Sequence, residues 1–183
     1  TTSTNMGLDW NTPIEISSQV HFSKQNAILN KDWRAHANTP GHGIQLTKGK
    51  YKGRLYIAAN HSTGEFKSDA SDYQTYGFYS DNHGETWEVS PDINWPSSNE
   101  AIATELPNGK LMLNIREQNG QSRRRIVALS DQGGEIWNEV YIDSALVSPV
   151  CQSSIISYSN NKETALLFSG PNSTEKRQKI SIF

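Results

Sequence analysis

Short runs of apolar and polar residues, divided by clusters of Gly, Asn, Ser and Pro, make up most of this 183-residue chain. The runs are rich in β-branched and aromatic side chains, which favour strands. No stretch repeats with the period of about 3.6 residues that a long amphipathic helix requires. The pattern therefore predicts an all-β fold.

The clearest pair of runs lies in residues 99–116, on either side of an Asn-Gly pair at positions 108–109. Asn and Gly accept the positive φ of tight turns, so this stretch predicts a β-hairpin. Glu100 begins the first strand and Arg116 ends the second, which brings an acid and a base to the same end. A two-residue loop would place Arg116 opposite Ala101, and a three-residue loop would place it opposite Glu100. Either register suits a functional site better than a core.

An eight-residue motif recurs along the chain. Residues 80–87 (SDNHGETW) and 130–137 (SDQGGEIW) share S-D-x-x-G-E-x-W, and a weaker copy at 3–10 (STNMGLDW) has Asn5 at the level of the usual Asp. We expect a tight turn in which Ser and Asp oxygens accept turn N–H groups, Gly supplies an unusual φ and Trp packs on the sheet. The acidic residues of this box are therefore poor catalytic candidates.

A hairpin also recurs between the boxes, at residues 43–59, 100–116 and 154–168. Each unit reads as strand, strand, strand, box turn, strand, and four-stranded units repeated about every fifty residues are typical of β-propeller blades. Only about three units are present, whereas propellers close with about four to eight blades. We therefore expect residues 1–183 to be part of a larger propeller domain that is truncated at both ends.

Composition excludes several other classes of protein. The net charge of −2 gives no electrostatic basis for binding nucleic acid or an anionic membrane, and no apolar run is long enough to span a bilayer. Cys151 is the only cysteine, so no internal disulfide can form. The five histidines lack metal-ligand spacing, and no cofactor is expected. We expect the three arginines at 123–125 to lie in a solvated hairpin.

Four further motifs, together with the boxes, resemble the exo-α-sialidase (neuraminidase) family of six-bladed propellers. They are residues 39–46 (TPGHGIQL), similar to the family's G-P-G-x-G-I-Q-L, residues 99–100 (NE), residues 113–116 (LNIR), and the stretch from 169–171 (SGP) to Arg177. The boxes alone occur in other propellers, but this ordered set is much more specific and spans nearly the whole chain. The resemblance implies a glycoside hydrolase that removes terminal sialic acid.

The resemblance also implies roles for five residues. Three arginines hold the sugar carboxylate in this family, and Arg116 and Arg177 match the second and the third. A tyrosine is the nucleophile, because the anionic substrate would repel a carboxylate, and the reaction retains configuration through a tyrosyl-glycosyl intermediate. Glu100 matches the glutamate that accepts the proton of that tyrosine. In looser matches, Asp32 corresponds to an acid that lines the sugar site and Gln152 to a pocket glutamine.

Some elements of the family have no match here. These are the first arginine in its R-I-P motif, the acid/base aspartate and the nucleophilic tyrosine, so we expect this chain alone not to hydrolyse sialosides. The family's partners are sialylated glycans on glycoproteins, glycolipids and oligosaccharides, which implies a secreted, periplasmic or cell-surface location. The alternative is a non-catalytic Asp-box propeller that binds glycans or proteins. The presence of Glu100, Arg116 and Arg177 favours the enzyme.

Overall fold

The computed structural model describes residues 1–22 and 32–183, and these form three antiparallel sheets. The first sheet contains β1 (Trp33–Asn38), β2 (Ile44–Gln45), β3 (Leu55–Thr63), β4 (Tyr73–Ser80) and β5 (Glu88–Val89). The second contains β6 (Ser98–Glu105), β7 (Leu111–Glu117), β8 (Arg124–Ser130) and β9 (Glu139–Val147), and the third contains β10 (Ser154–Ser159), β11 (Thr164–Pro171) and β12 (Ile180–Ile182). The predicted all-β fold is confirmed.

The described residues contain one short helix, α1 (Ser17–Val20), which packs beside β5. Within the two described ranges, no helix has the length and apolar character needed to cross a membrane.

The second sheet has the strand order that the sequence predicts, β6-β7-β8-β9, with the box turn between β8 and β9. The first sheet differs, because its first strand is split between β1 and β2, which pair with opposite ends of β3. The break falls at Pro40, which has no N–H for the ladder, and at Gly41, whose φ is +130°. The sequence did not reveal β1 because four of its six residues are exposed and it shows no apolar alternation.

The box turns have the predicted shape but use a different side chain. In residues 80–87, Gly84 N–H donates to Ser80 Oγ at 2.8 Å, and Thr86 N–H donates to Asn82 Oδ1 at 2.9 Å. The weaker copy at the start of the chain repeats both bonds. The expectation that Asp81 accepts turn N–H groups is wrong. Asn82, one residue later, takes that role because its side chain folds back over the turn.

Asp81 instead takes part in a connection between the first two sheets. Arg54, whose side chain is 3% exposed, donates from Nε and Nη2 to the two carboxylate oxygens of Asp81 at 2.8 and 2.6 Å. Its guanidinium also donates to Gly133 O at 3.0 Å and to Glu135 Oε1 at 2.9 Å, both in the box of the second sheet. The ring of Tyr79 lies under the guanidinium carbon at 3.9 Å. One arginine therefore joins two boxes.

Strand β6 lies between two hydrophobic cores. Its alternating side chains send Ala101 and Ala103 into the core shared with the first sheet, and Ile102 into the core shared with the third. The first core also contains Tyr56, Leu113 and Ile126, and the second contains Met112, Val127, Ile155 and Phe168. The middle sheet is thus covered on both faces, which fixes the strand end that carries Glu100.

Candidate active site

The hairpin formed by β6 and β7 closes with a three-residue loop, residues 107–109. Leu106 N–H donates to Lys110 O at 2.8 Å, and Gly109 N–H donates to Leu106 O at 2.9 Å. Gly109 has a φ of +84°, the left-handed conformation that such a loop needs at its last position. Of the two registers that the sequence left open, the structure contains the one with the three-residue loop.

This register places Glu100 beside Arg116. The ladder is regular up to the pair Ala101 and Ile115, and β6 bulges between Ser98 and Ala101. Arg116 Nη1 donates to Glu100 Oε2 at 2.5 Å, and the two side chains are 15% and 25% exposed. Partial burial weakens screening by water, so this ion pair is stronger than one on an open surface.

The ion pair lines a cleft of about 590 Å³ between the second and third sheets. Volumes of this order accommodate small-molecule ligands. Gln152 and Arg177 line the same cleft, so the structure brings together four of the five residues singled out from the sequence. With two guanidinium groups and one carboxylate among these four, the cleft suits an anionic ligand.

Gln152 lies just before β10 and reaches across the middle sheet. Its Nε2 donates to Pro40 O at 2.9 Å, and a longer contact of 3.4 Å reaches Ala101 O. Both partners are carbonyl groups, which only accept hydrogen bonds, so the amide nitrogen must face them. The Oε1 atom is buried and has no hydrogen-bond partner among the described residues. It is therefore available to a donor on a ligand.

Arg177 approaches the cleft from the loop between β11 and β12. It is an exposed residue, and its Nη2 donates to Val150 O at the long distance of 3.4 Å. Such a weakly held guanidinium can reorient towards an anion at little cost. Its predicted role stays a prediction.

Asp32 is not brought to this cleft. It is exposed and lies one residue before β1, on the first sheet, whereas the cleft lies between the second and third sheets. A side cleft of about 410 Å³ shares Glu100 and Arg116 with the main one and extends to His36 and Asn60 on the first sheet. Asn60 on β3 therefore contributes a side chain to the neighbourhood of the ion pair.

Sequence reasoning missed Arg125. Residues 123–125 were expected to be solvated, but the Arg125 side chain is completely buried. Its Nε donates to Asn114 Oδ1 at 2.7 Å and its Nη1 to Cys151 O at 2.6 Å. Burial lowers the pKa of this guanidinium to about 9, so it remains charged at neutral pH. Strand alternation offered no signal for it, because residues 125–128 of β8 are buried on both faces of the sheet.

Three buried polar atoms at the main cleft have no hydrogen-bond partner in the described part of the chain. They are Arg116 Nε, Gln152 Oε1 and Ser153 Oγ. Buried polar atoms are normally paired, so an unpaired group at a cleft is a candidate contact for a polar ligand. Ser153 was not singled out from the sequence, since a lone serine before a strand carries no distinctive pattern.

Comparison with known proteins gives the family. All of residues 1–183 match the BNR repeat-like domain. A sialidase of Micromonospora viridifaciens is 32% identical over 158 residues, covering 85% of this chain and 22% of that protein. A sialidase of Bacteroides fragilis is 30% identical over 188 residues, covering 98% of this chain and 30% of that protein.

The solved structure of a Hadza microbial sialidase superposes with a TM-score of 0.75 at 28% identity, covering 98% of this chain and 32% of that one. The chain thus spans between 22% and 32% of the length of these three relatives. The chain belongs to the BNR repeat-like domain family, and its three sheets are β-propeller blades of the sialidase type.

Proposed function

We propose that the protein containing these 183 residues is an exo-α-sialidase, which removes terminal sialic acid from glycoconjugates with retention of configuration. The observation that carries this proposal is the Glu100–Arg116 ion pair at 2.5 Å in a cleft that Arg177 also lines. A sugar with a carboxylate on its anomeric carbon needs cationic groups to bind it and a base near its reacting centre. The cleft offers both.

Arg116 is suited to hold two carboxylates at once. It uses Nη1 for Glu100, while Nε has no partner among the described residues. The Nε and Nη2 edge of a guanidinium matches the two oxygens of a carboxylate. We propose that this edge binds the carboxylate of the sugar and that Arg177 binds it from the other wall.

Glu100 is proposed as a general base that accepts the proton of a tyrosine nucleophile. The ion pair holds its carboxylate in one orientation, which a proton acceptor requires. No tyrosine is among the residues that line the main cleft, and Tyr73, which lines the side cleft shared by Glu100 and Arg116, does not lie in the sequence context of the family's nucleophile. We therefore propose that the tyrosine, the acid/base aspartate and a third arginine come from residues outside these 183, and that the chain by itself does not turn over sialosides.

The test is a kinetic assay of the full-length protein with a fluorogenic α-sialoside. Glu100→Gln keeps the shape of the side chain but cannot accept a proton, and we expect kcat to fall by about 10²-fold or more. Arg116→Met removes a charge-assisted fork, and we expect kcat/KM to fall by about 10²-fold. Glu139→Gln, an exposed change on β9, is the matched control and should leave both constants unchanged.

Three outcomes would contradict the proposal or a part of it. Turnover at the wild-type rate in Glu100→Gln and Arg116→Met would show that neither residue takes part in catalysis or substrate binding. Sialoside binding without turnover by the wild-type protein would identify a non-catalytic glycan-binding propeller instead. If the first-formed sugar, followed by proton NMR, were the inverted anomer, the retaining mechanism would be wrong.

The proposed substrates are the sialylated glycans of glycoproteins, glycolipids and oligosaccharides. Such glycans are displayed outside cells, so we propose a secreted, periplasmic or cell-surface enzyme. Immunodetection in fractions of the producing cell would test this, and a purely cytoplasmic signal would contradict it.

A further inference from the structure

Arg125 continues the row of charged side chains that begins with the candidate ion pair. Arg116 on β7 is the direct cross-strand partner of Arg125 on β8, and Glu100 lies beside Arg116 on β6. Cross-strand partners project from the same face of a sheet. The side chains of Glu100, Arg116 and Arg125 therefore project from three neighbouring strands in one row towards the third sheet.

The charge of Arg125 is not neutralised by a carboxylate in contact with it. Its three hydrogen bonds go to neutral oxygens, namely Asn114 Oδ1, Asn114 O at 3.3 Å and Cys151 O. Among the described residues it forms no ion pair within 4.0 Å. Burial removes the hydration of this cation, and no ion pair with a described residue offsets that loss.

The surroundings of Arg125 connect it to the cleft. Cys151, whose carbonyl it binds, lines the cleft and precedes Gln152. Arg125 and Arg116 are direct cross-strand partners, so their Cβ atoms are about 5 Å apart. Because Arg125 is completely buried and the side chains of Arg116 and Glu100 are largely buried, water screens its charge at the ion pair less than on an open surface. With Arg116 and Arg177 in the lining of the cleft, Arg125 brings the number of guanidinium groups to three, against the one carboxylate of Glu100.

The geometry points to Arg125 as a positioning residue that gives the cleft a fixed positive charge and thereby makes it selective for anionic sugars. This inference rests on the proposed function, because it concerns the ligand of the same cleft. Arg125 does not touch the ligand. It acts through its field and through the carbonyl of Cys151, next to Gln152.

The experiment measures charge selectivity with a matched pair of ligands. N-acetylneuraminic acid and its methyl ester differ in one negative charge, and calorimetry or NMR titration of the full-length protein gives the dissociation constant of each. In Arg125→Met and Arg125→Gln, we expect affinity for the acid to fall about tenfold and affinity for the ester to stay unchanged. Arg125→Lys, which keeps the charge, should retain most of the selectivity.

Arg124→Met is the control, because it removes the same charge from the neighbouring residue, whose guanidinium contacts backbone oxygens of Arg123 and Ser144 instead. Its selectivity should match that of the wild type. Arg125→Gln can still donate to Asn114 Oδ1, so it serves if the Met variant does not fold. Equal losses for acid and ester, or unchanged selectivity in a folded neutral variant, would overturn the inference.

A second probe separates this inference from the proposed function. If the wild-type protein binds no sialic acid, the proposed function fails, and acetate is titrated while the Nε–H signals of arginine are followed by NMR. Weaker acetate binding in Arg125→Gln than in Arg124→Met would still support a charged cleft. Equal acetate binding in the two variants would overturn it.

Discussion

The connection between the two boxes makes a testable claim about what holds the blades together. Arg54→Met keeps the aliphatic stem of the side chain and removes the guanidinium that binds Asp81, Gly133 and Glu135. The change leaves three acceptors without their donor and removes the stacking on Tyr79. We expect both adjoining sheets to be destabilised.

The size of the decrease in the free energy of unfolding depends on how exposed each partner of Arg54 is. Removing one member of a fully buried ion pair costs about 3–5 kcal/mol, but Asp81 and Glu135 are 56% and 38% exposed and can be rehydrated. Removing each of these two ion pairs should then lower the free energy of unfolding by about 0.5 kcal/mol, as for ion pairs on a surface. The bond to Gly133 O adds about 1 kcal/mol, and the cation–π contacts with Tyr79 and Tyr51 together add about 1 kcal/mol more. We expect the free energy of unfolding to fall by about 3 kcal/mol.

Urea denaturation of the full-length protein, with native-state hydrogen exchange to localise the effect, provides the assay. Lys52→Met removes an exposed charge two residues away and should change stability by less than about 0.5 kcal/mol. Arg54 also lowers the pKa of Asp81 below 3.8. That carboxylate stabilises the fold above its unfolded pKa and loses this effect on acidification, so the difference between wild type and Arg54→Met should narrow below about pH 3.8. A variant as stable as Lys52→Met would refute the reasoning.

Two further predictions concern packing and pH. In Gly77→Ala, the new Cβ would lie 2.1 Å from Tyr56 Oη, so we expect urea denaturation to show a free energy of unfolding lower by about 3 kcal/mol. A decrease under about 0.5 kcal/mol would show that the tyrosine can move away without cost. Burial, helped by repulsion from His21 and His61, lowers the pKa of His36 below 6.5. As the pH falls through 6.5, the unfolded chain therefore binds more protons than the folded one, and the free energy of unfolding decreases. In His36→Asn, the free energy of unfolding should depend less on pH between about pH 7.5 and about pH 5.5. An equally steep profile in that variant would contradict this.

Much of the fold could be predicted from the sequence because local signals agreed with one another. The box turns, the Asn-Gly loop and the alternating runs each require strands at the same places, and the second sheet follows them closely. Strand β1 escaped prediction because a strand that is largely exposed has no apolar period. The loop length of the hairpin could not be predicted, since Asn108-Gly109 accepts positive φ in either register.

The candidate site was predicted less completely for a different reason. Glu100, Arg116 and Arg177 belong to family motifs, Gln152 is a looser match, and all four line one cleft. Arg125 lies in a run of three arginines, and composition alone favours a solvated patch there. Its burial depends on a pairing between β8 and β7 and on oxygens of Asn114 and Cys151, which only the folded chain brings together.

The hydrogen bonds of Gln152 give this side chain a structural role in addition to its place in the cleft. Its amide nitrogen is bound to the loop after β1 and to β6, while the side chain itself belongs to the third sheet, so one residue aligns three blades. Only its oxygen remains for a ligand. A replacement such as Gln152→Glu would remove the donor and set a carboxylate against two carbonyl oxygens. The proposed ligand contact and the alignment of the blades therefore depend on the same side chain, so a substitution at this position changes both together.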